Sequence, residues 1–196
     1  MNHYFTNNEN LKSEIKKINV SINDIDYYFY TDNGVFSKER LDYGTELLIK
    51  TFKYNNPQDK KILDAGCGCG PIGIYLSKLG FNVTASDVNK RALHLTKKAL
   101  KEQNLNANVI ESDSYTNIND KYDYIISNPP IKAGKKVLYD IIGGANDYLK
   151  KNGKLWVVIR KDKGALSLIK DMRNIYDKID IVEKKKGYYI IVFDKK

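Results

Sequence analysis

The sequence predicts an α/β fold: a seven-stranded, mostly parallel sheet with an antiparallel last strand and helices on both faces. Three observations carry this reading. From Lys61 onward, short apolar strand segments alternate with helical ones. The last two strand segments are separated only by Glu183-Lys184-Lys185-Lys186-Gly187, too short for a parallel crossover. A glycine-rich turn follows the first strand of the alternation and opens a helix.

Along the chain, residues 1–25 are polar and weakly patterned. Asp26-Tyr27-Tyr28-Phe29-Tyr30-Thr31 then reads as a strand ending at the turn signal Asn33-Gly34. Residues 42–52 place Leu47, Leu48 and Phe52 on one helical face and precede a polar linker with Pro57. The alternation then predicts strands over 61–63, 82–86, 108–111, 122–127 and 155–159, with helices over 72–79, 90–103, 135–149 and 165–175. Strands at 179–182 and 188–193 close the chain as a hairpin.

A chain of 196 residues is near the size of one globular domain. One domain over 1–196 is expected, with a strand and helix extension over 1–57 and a cofactor-binding core over 58–196. No apolar run approaches the roughly 20 residues of a membrane span. The N-terminus lacks the pattern of a secretory signal, so a cytoplasmic location is expected. Cys67 and Cys69 are too close for an unstrained disulfide and too few for a zinc site, and His3 and His94 belong to no ligand pattern. No metal is expected. A net charge of +9 fits either a polyanionic partner or a lysine-rich solubility strategy, so the placement of the charges has to decide.

The glycine turn runs Asp64-Ala65-Gly66-Cys67-Gly68-Cys69-Gly70-Pro71-Ile72-Gly73, with Pro71 suited to a first helical turn. Glycines there let the chain turn sharply and let a ligand lie against the backbone. Gly68, Gly70 and Gly73 also satisfy the dinucleotide spacing, so a nicotinamide cofactor competes. Asp64 shifts the balance. A carboxylate at the mouth of the loop repels a pyrophosphate but attracts the sulfonium and α-ammonium of S-adenosylmethionine. Asp87, ending the next strand, can accept from both ribose hydroxyls, although a helix cap is its plainer role. Asp113 can receive the adenine amine, or simply serve a turn. Val88 and Ser114, their neighbours, complete the expected cofactor set with Asp64, Gly66, Gly68 and Gly70.

The fourth strand of the alternation ends in Ser127-Asn128-Pro129-Pro130-Ile131, a rigid, acceptor-rich turn, because two prolines fix φ and remove two donors. The Asn128 side-chain carbonyl and the Pro129 backbone carbonyl can accept the two hydrogens of an exocyclic amine. That leaves its lone pair directed at a methyl sulfonium, with orientation rather than a strong base supplying the catalysis. Asn128, Pro129, Pro130 and Ile131 are the catalytic candidates.

Together these motifs resemble those of the Rossmann-like class I methyltransferases that act on amino groups. The resemblance is closer still to the 16S ribosomal RNA guanine-N2 methyltransferases of the RsmC type. It runs over Gly34-Val35-Phe36-Ser37, Leu41-Asp42-Tyr43-Gly44-Thr45, Gly66–Gly73, Ser127–Ile131 and Gly187-Tyr188-Tyr189. It implies that S-adenosylmethionine is the cofactor, that Phe36 and Thr45 line the site, and that Asn128 engages the guanine amine. The chain departs from the wider pattern at Ile131, where many amino methyltransferases place an aromatic, and Phe36 is the candidate to stack on the base instead. Some family members carry two tandem domains, and only the catalytic one fits this length.

The segments after the fourth, fifth and sixth strands emerge at the carboxyl edge of such a sheet. They carry Lys132, Lys135 and Lys136, then Arg160, Lys161 and Lys163, then Lys184, Lys185 and Lys186, a basic rim suited to RNA. The expected partner is ribosomal RNA or the small ribosomal subunit, and the expected product an N-methylated base, guanine N2 first. A protein glutamine-N5 methyltransferase, a DNA adenine-N6 methyltransferase and a non-catalytic RNA-binding assembly factor remain alternatives.

Overall fold

The computed structural model describes residues 12–35 and 40–196, with Lys132 described by its backbone only. An N-terminal hairpin, β1 (Lys16–Ile22) and β2 (Ile25–Thr31), forms a two-stranded sheet of its own. Helix α1 (Tyr43–Thr51) follows. The core then runs β3 (Lys61–Ala65), α2 (Pro71–Lys78), β4 (Asn82–Asp87), α3 (Lys90–Glu102), β5 (Ala107–Glu111), β6 (Tyr122–Ser127), α4 (Lys135–Tyr148), β7 (Leu149–Arg160), α5 (Ala165–Met172), β8 (Lys178–Lys185) and β9 (Tyr188–Asp194).

The seven core strands lie in the order β5-β4-β3-β6-β7-β9-β8. Pairings among β3 to β7 are parallel, and β9 runs antiparallel between β7 and β8. The order reverses between β3 and β6, so the loops leaving these two strands part to opposite sides and open a crevice at their carboxyl ends.

Alternation along the strands divides the core in two. Ile62, Ile126, Trp156 and Val158 join the apolar layer under α1, α2, α3 and the hairpin, whereas Leu63, Ile125, Val157 and Ile159 join the layer under α4 and α5. Both faces are covered, which is why these strands read as continuous apolar runs. The Phe52 ring meets Trp156 and Tyr124 edge-on, at 5.2 and 5.3 Å between centroids, and anchors the end of α1 to the sheet. That anchor sets the start of α1 above the end of β6.

Several elements differ from the sequence expectation: β7 begins at Leu149, before the expected 155, and β8 runs on to Lys185, past the expected 182. Strand β1 forms within residues read as weakly patterned. Its Ile18, Val20 and Ile22 alternate with polar residues and turn one side to the core, and Asn23 and Asp24 both take positive φ, 51° and 61°, between β1 and β2. Helix α5 stops at Met172, short of the expected 175.

Candidate functional site

The crevice holds a cavity of about 470 Å³, in the range of small-molecule sites. Its floor is the turn after β3. Gly66, Gly68 and Gly70 all have positive φ, and a Cβ added at Gly68 would meet nothing within 4 Å, so the backbone there is bare to a ligand. Helix α3 braces this turn from behind: the Thr96 hydroxyl donates to the Gly68 carbonyl at 3.1 Å. A Cβ on Gly70 would fall 2.5 Å from Thr96 Cγ2.

Asp87 ends β4 at the cavity wall. Its Oδ2 accepts the Gly68 N–H at 2.8 Å and its Oδ1 accepts the Asn89 N–H at 2.8 Å. Burial raises its pKa, and the backbone N–H groups of Asn89, Gly68 and Val88 oppose that rise. A carboxylate has about four acceptor positions, so beside these backbone N–H groups the Asp87 oxygens retain capacity for a ribose hydroxyl. Val88, Ser112, Asp113 and Ser114 continue the wall from β4 and β5, while Val137 and Ile141 of α4 supply an apolar side. The acceptor pair, the bare glycine backbone and the apolar side fit an adenosyl group.

Asn128, Pro129 and Pro130 form the opposite wall, with Thr45. The Asn128 Nδ2 donates to Asp42 Oδ2 at 2.8 Å and to Thr45 Oγ1 at 2.9 Å. The same Asp42 oxygen caps α1 by accepting the Thr45 N–H at 2.9 Å, and also takes the Thr45 hydroxyl at 3.2 Å. The Asn128 amide nitrogen is therefore spent on α1, and among the described residues its carbonyl oxygen has no hydrogen-bond partner. The Pro130 carbonyl accepts the Ala133 N–H at 2.8 Å, whereas the Pro129 carbonyl takes no backbone bond among the described residues. Two acceptors are thus left at the turn.

Of the expected site residues, Gly66, Gly68, Asp87, Val88, Asp113, Ser114, Thr45, Asn128, Pro129 and Pro130 meet at this cavity. Three of the cofactor and catalytic candidates do not reach its wall. Asp64 is fully buried behind the glycine turn; its Oδ2 accepts the Gly73 N–H at 2.9 Å and its Oδ1 has no partner. Burial pushes its pKa up to about 7, the Gly73 bond opposes the rise, and the nearby Asp87 carboxylate adds to it. The expected direct contact between Asp64 and a cationic ligand is corrected accordingly: its carboxyl serves the start of α2. Gly70 packs beneath α3, and Ile131 turns into the apolar layer under α4, where an aliphatic side chain gains burial.

Phe36 and the Lys132 side chain lie outside the described residues. The other rim residues are exposed and differ in their partners. Lys136 bonds Asp140 at 2.6 Å, Lys135 approaches Asp171 at 3.9 Å, and Arg160 makes two contacts with Asp162 at 3.0 and 3.1 Å. Lys161 is exposed, and its backbone N–H donates to the Gly187 carbonyl. Lys184 sits over the Tyr189 ring, and neither it nor Lys185 or Lys186 forms an ion pair among the described residues.

Sequence reasoning did not place Asp42 at the site, nor Phe29, Val137 and Ile141 on its wall. Asp42 carried one usable signal: an aspartate three residues before Thr45 at a helix start is a cap whose side chain is fixed in direction. Cys67 and Cys69 are free and buried against the cavity, and burial raises both thiol pKa values.

The methyltransferase small domain family model matches residues 26–192. The uncharacterized protein YbxB of Bacillus subtilis (strain 168) is 37% identical over 195 residues, covering 96% of each chain. Ribosomal RNA small subunit methyltransferase C of Photorhabdus laumondii is 41% identical over 131 residues, covering 64% of this chain but 38% of that protein. Among solved structures, the Thermus thermophilus 16S rRNA N2 G1207 methyltransferase RsmC, in complex with AdoMet and guanosine, matches with a TM-score of 0.83 at 20% identity. The match covers 95% of this chain and 52% of that one. With the glycine turn, Asp87 and the Asn-Pro-Pro turn at one cavity, this chain belongs to the methyltransferase small domain family and is an S-adenosylmethionine-dependent methyltransferase.

Proposed function

We propose that the protein methylates the exocyclic N2 amine of a guanine in 16S ribosomal RNA, using residues 1–196 as a single catalytic domain. The observation that carries this reading is the Asn128 amide: its nitrogen is held by Asp42 and Thr45, so its carbonyl oxygen is presented as an acceptor beside the unused Pro129 carbonyl. Two fixed acceptors suit the two hydrogens of an NH₂ group and hold the nitrogen lone pair free between them. A hydroxyl nucleophile, with one hydrogen, leaves one acceptor unsatisfied.

When bound, S-adenosylmethionine supplies an electrophilic methyl on a sulfonium. The chain's own residues do the rest. Asp87 and the Gly68 backbone fix the adenosyl end, and the proline turn fixes the amine, so the barrier falls through proximity and orientation. An amine conjugated to a base ring has little basicity, and Asn128 and Pro129 polarise its N–H bonds as the nitrogen attacks. The proton lost from that nitrogen leaves to water, and no side chain need act as a strong base.

Support for RNA comes from Lys184, Lys185 and Lys186 at the end of β8 and the turn after it, which form no ion pair among the described residues, and from the similarity to proteins named as small-subunit ribosomal RNA methyltransferases. The target base has to leave its stack to reach a recessed turn, which favours a loop or an incompletely assembled helix. The partner is then the small ribosomal subunit or its RNA, in the cytoplasm. Nucleoside mass spectrometry of small-subunit RNA from cells lacking the protein tests this. One N2-methylguanosine should disappear and return when purified protein and S-adenosylmethionine are added. An unchanged N2-methylguanosine level with loss of methylated adenine or methylated glutamine overturns the substrate.

A further inference from the structure

Outside the cavity, one aromatic pair is used by nothing described above. Tyr43 opens α1 and Tyr188 opens β9, and their rings meet with centroids 5.5 Å apart at 57°. Both are half-buried, so each keeps an exposed edge or face. Cations stand over them: Lys186 Nζ lies 4.8 Å from the Tyr43 centroid, and the Arg160 guanidinium, also held by Asp162, lies 5.7 Å from the Tyr188 centroid.

Gly44 explains why the Tyr188 ring sits so close to α1. A Cβ there would fall 2.9 Å from Tyr188 Cε1 and 3.1 Å from Asp42 Oδ2. The Tyr188 ring and the carboxylate that holds Asn128 therefore approach the same point. Asp42 thus links the two places: its Oδ2 bonds Asn128 and, like the Tyr188 ring, lies close beside Gly44.

We propose that Tyr43 and Tyr188 form a stacking platform for the nucleotide next to the methylated one on a single-stranded RNA, with Lys186 and Arg160 meeting its phosphates. This rests on the RNA reading above. Aromatic rings accept any base through its π face, and a neighbouring cation completes the contact to the backbone. Before RNA binds, the cations cover the rings; a base taking that place releases a mobile ammonium on an exposed side chain toward phosphate. Lys184 and Lys185, without ion pairs among the described residues, extend the positive charge along the same hairpin. Ile131, half-buried against the apolar layer under α4, has no π face to offer a base, so an aromatic contact outside the cavity offsets what the turn lacks.

The test uses the full chain saturated with S-adenosylhomocysteine and short single-stranded RNAs containing one guanine, with 2-aminopurine on either side of it. The wild type should quench 2-aminopurine at one flanking position. Tyr188→Leu and Tyr43→Leu keep apolar volume without a π face, and each should lift the quenching and weaken RNA binding about tenfold. Tyr188→Phe should keep both, and S-adenosylhomocysteine affinity should stay within about twofold in all three. Unchanged quenching and RNA affinity in the leucine variants overturn the platform, as does loss of S-adenosylhomocysteine binding in both, which makes the rings purely structural. Absence of RNA binding by the wild type overturns it as well. Guanine methylation by a protein whose leucine variants bind RNA normally sinks the platform and keeps the proposed reaction. Weakened RNA binding in those variants without any guanine methylation keeps the platform and sinks the reaction.

Discussion

The Nδ2 of Asn128 lies 2.8 Å from Asp42 Oδ2, a contact across 86 residues that ties the Asn-Pro-Pro turn to the first turn of α1. It decides which end of the amide faces a substrate, because a carboxylate accepts and cannot donate. Asp42→Ala should cut kcat roughly 10- to 100-fold by letting the amide rotate, and should cost about 1 kcal/mol of stability through the lost cap. S-adenosylhomocysteine affinity should stay within a few fold. Thr45→Val, which removes one of the two acceptors for Asn128, should give a smaller loss. Steady-state kinetics beside calorimetry separates these effects, and an unchanged kcat in Asp42→Ala would show that Asn128 needs no such anchor.

Asp87 carries two demands at once, since it holds the Gly68 N–H and lines the cavity. Asp87→Ala should weaken S-adenosylhomocysteine roughly 100-fold, because charged hydrogen bonds to the ribose are lost together with the support for the loop. Asp87→Asn should fall between, keeping a neutral acceptor. Isothermal calorimetry reads both. Equal affinity for the wild type and the alanine variant would remove Asp87 from the cofactor site.

How far these features were legible in the sequence depends on how local their causes are. Strands β3, β6 and β7 are buried on both faces, so their apolar runs stand out. Strand β1 shows only three alternating apolar residues, and its register depends on pairing with β2. The glycine and proline turns read clearly because each is contiguous and its backbone demands Gly or Pro. Which of their side chains reach the cavity was not legible, because that depends on the face of the sheet. Ala65 lines the cavity while its neighbour Asp64 points behind it. Asp42 and Phe29 arrive from elements far away in sequence, so no spacing rule joins them to Asn128 or Asp87.

The buried Asp64 carboxyl, whose Oδ1 has no partner among the described residues, makes stability depend on pH. Its pKa is raised to about 7 in the folded state against about 3.9 unfolded, so between these values the folded protein holds a proton that the unfolded chain has lost. This contribution is fully present below about pH 4 and is lost as pH rises through about 7, at a limiting slope near 1.4 kcal/mol per unit. Asp64→Asn should remove that slope, measured by urea denaturation between about pH 4.5 and 7.5. Asp87 interacts with Asp64, so the difference between the two curves reports Asp64 together with its coupling to Asp87. Parallel curves would show that another group carries the proton.

Gly70 and Gly68 both adopt positive φ, at 77° and 54°, but only Gly70 is crowded. Gly68→Ala should cost about 1–2 kcal/mol for the left-handed backbone alone. Gly70→Ala should cost about 2–4 kcal/mol, since its methyl also meets Thr96 Cγ2 at 2.5 Å. In a double-mutant cycle, Thr96→Ala should recover part of the Gly70→Ala loss, so the double variant loses less than the sum. Strict additivity would mean that α3 moves aside and the packing does not constrain the turn.

The basic rim should divide by existing partners. Lys135 and Lys136 already face Asp171 and Asp140, and an ammonium has to leave these carboxylates before it meets a phosphate. Lys184, Lys185 and Lys186 have no such ion pair among the described residues, and aromatic contacts hold two of them only loosely. Neutralising all three to Gln should flatten the log-log salt dependence of single-stranded RNA binding by about 2, at about 0.7 per phosphate contact. The Lys135→Gln/Lys136→Gln pair should change the slope by less than about 1. Fluorescence anisotropy from about 50 to 300 mM salt reads the slopes directly. If the paired lysines change the slope as much as the hairpin lysines do, their ion pairs are too weak in solution to select which charges the RNA meets. If neither set changes it, the positive charge serves solubility, and the RNA reading of this surface fails.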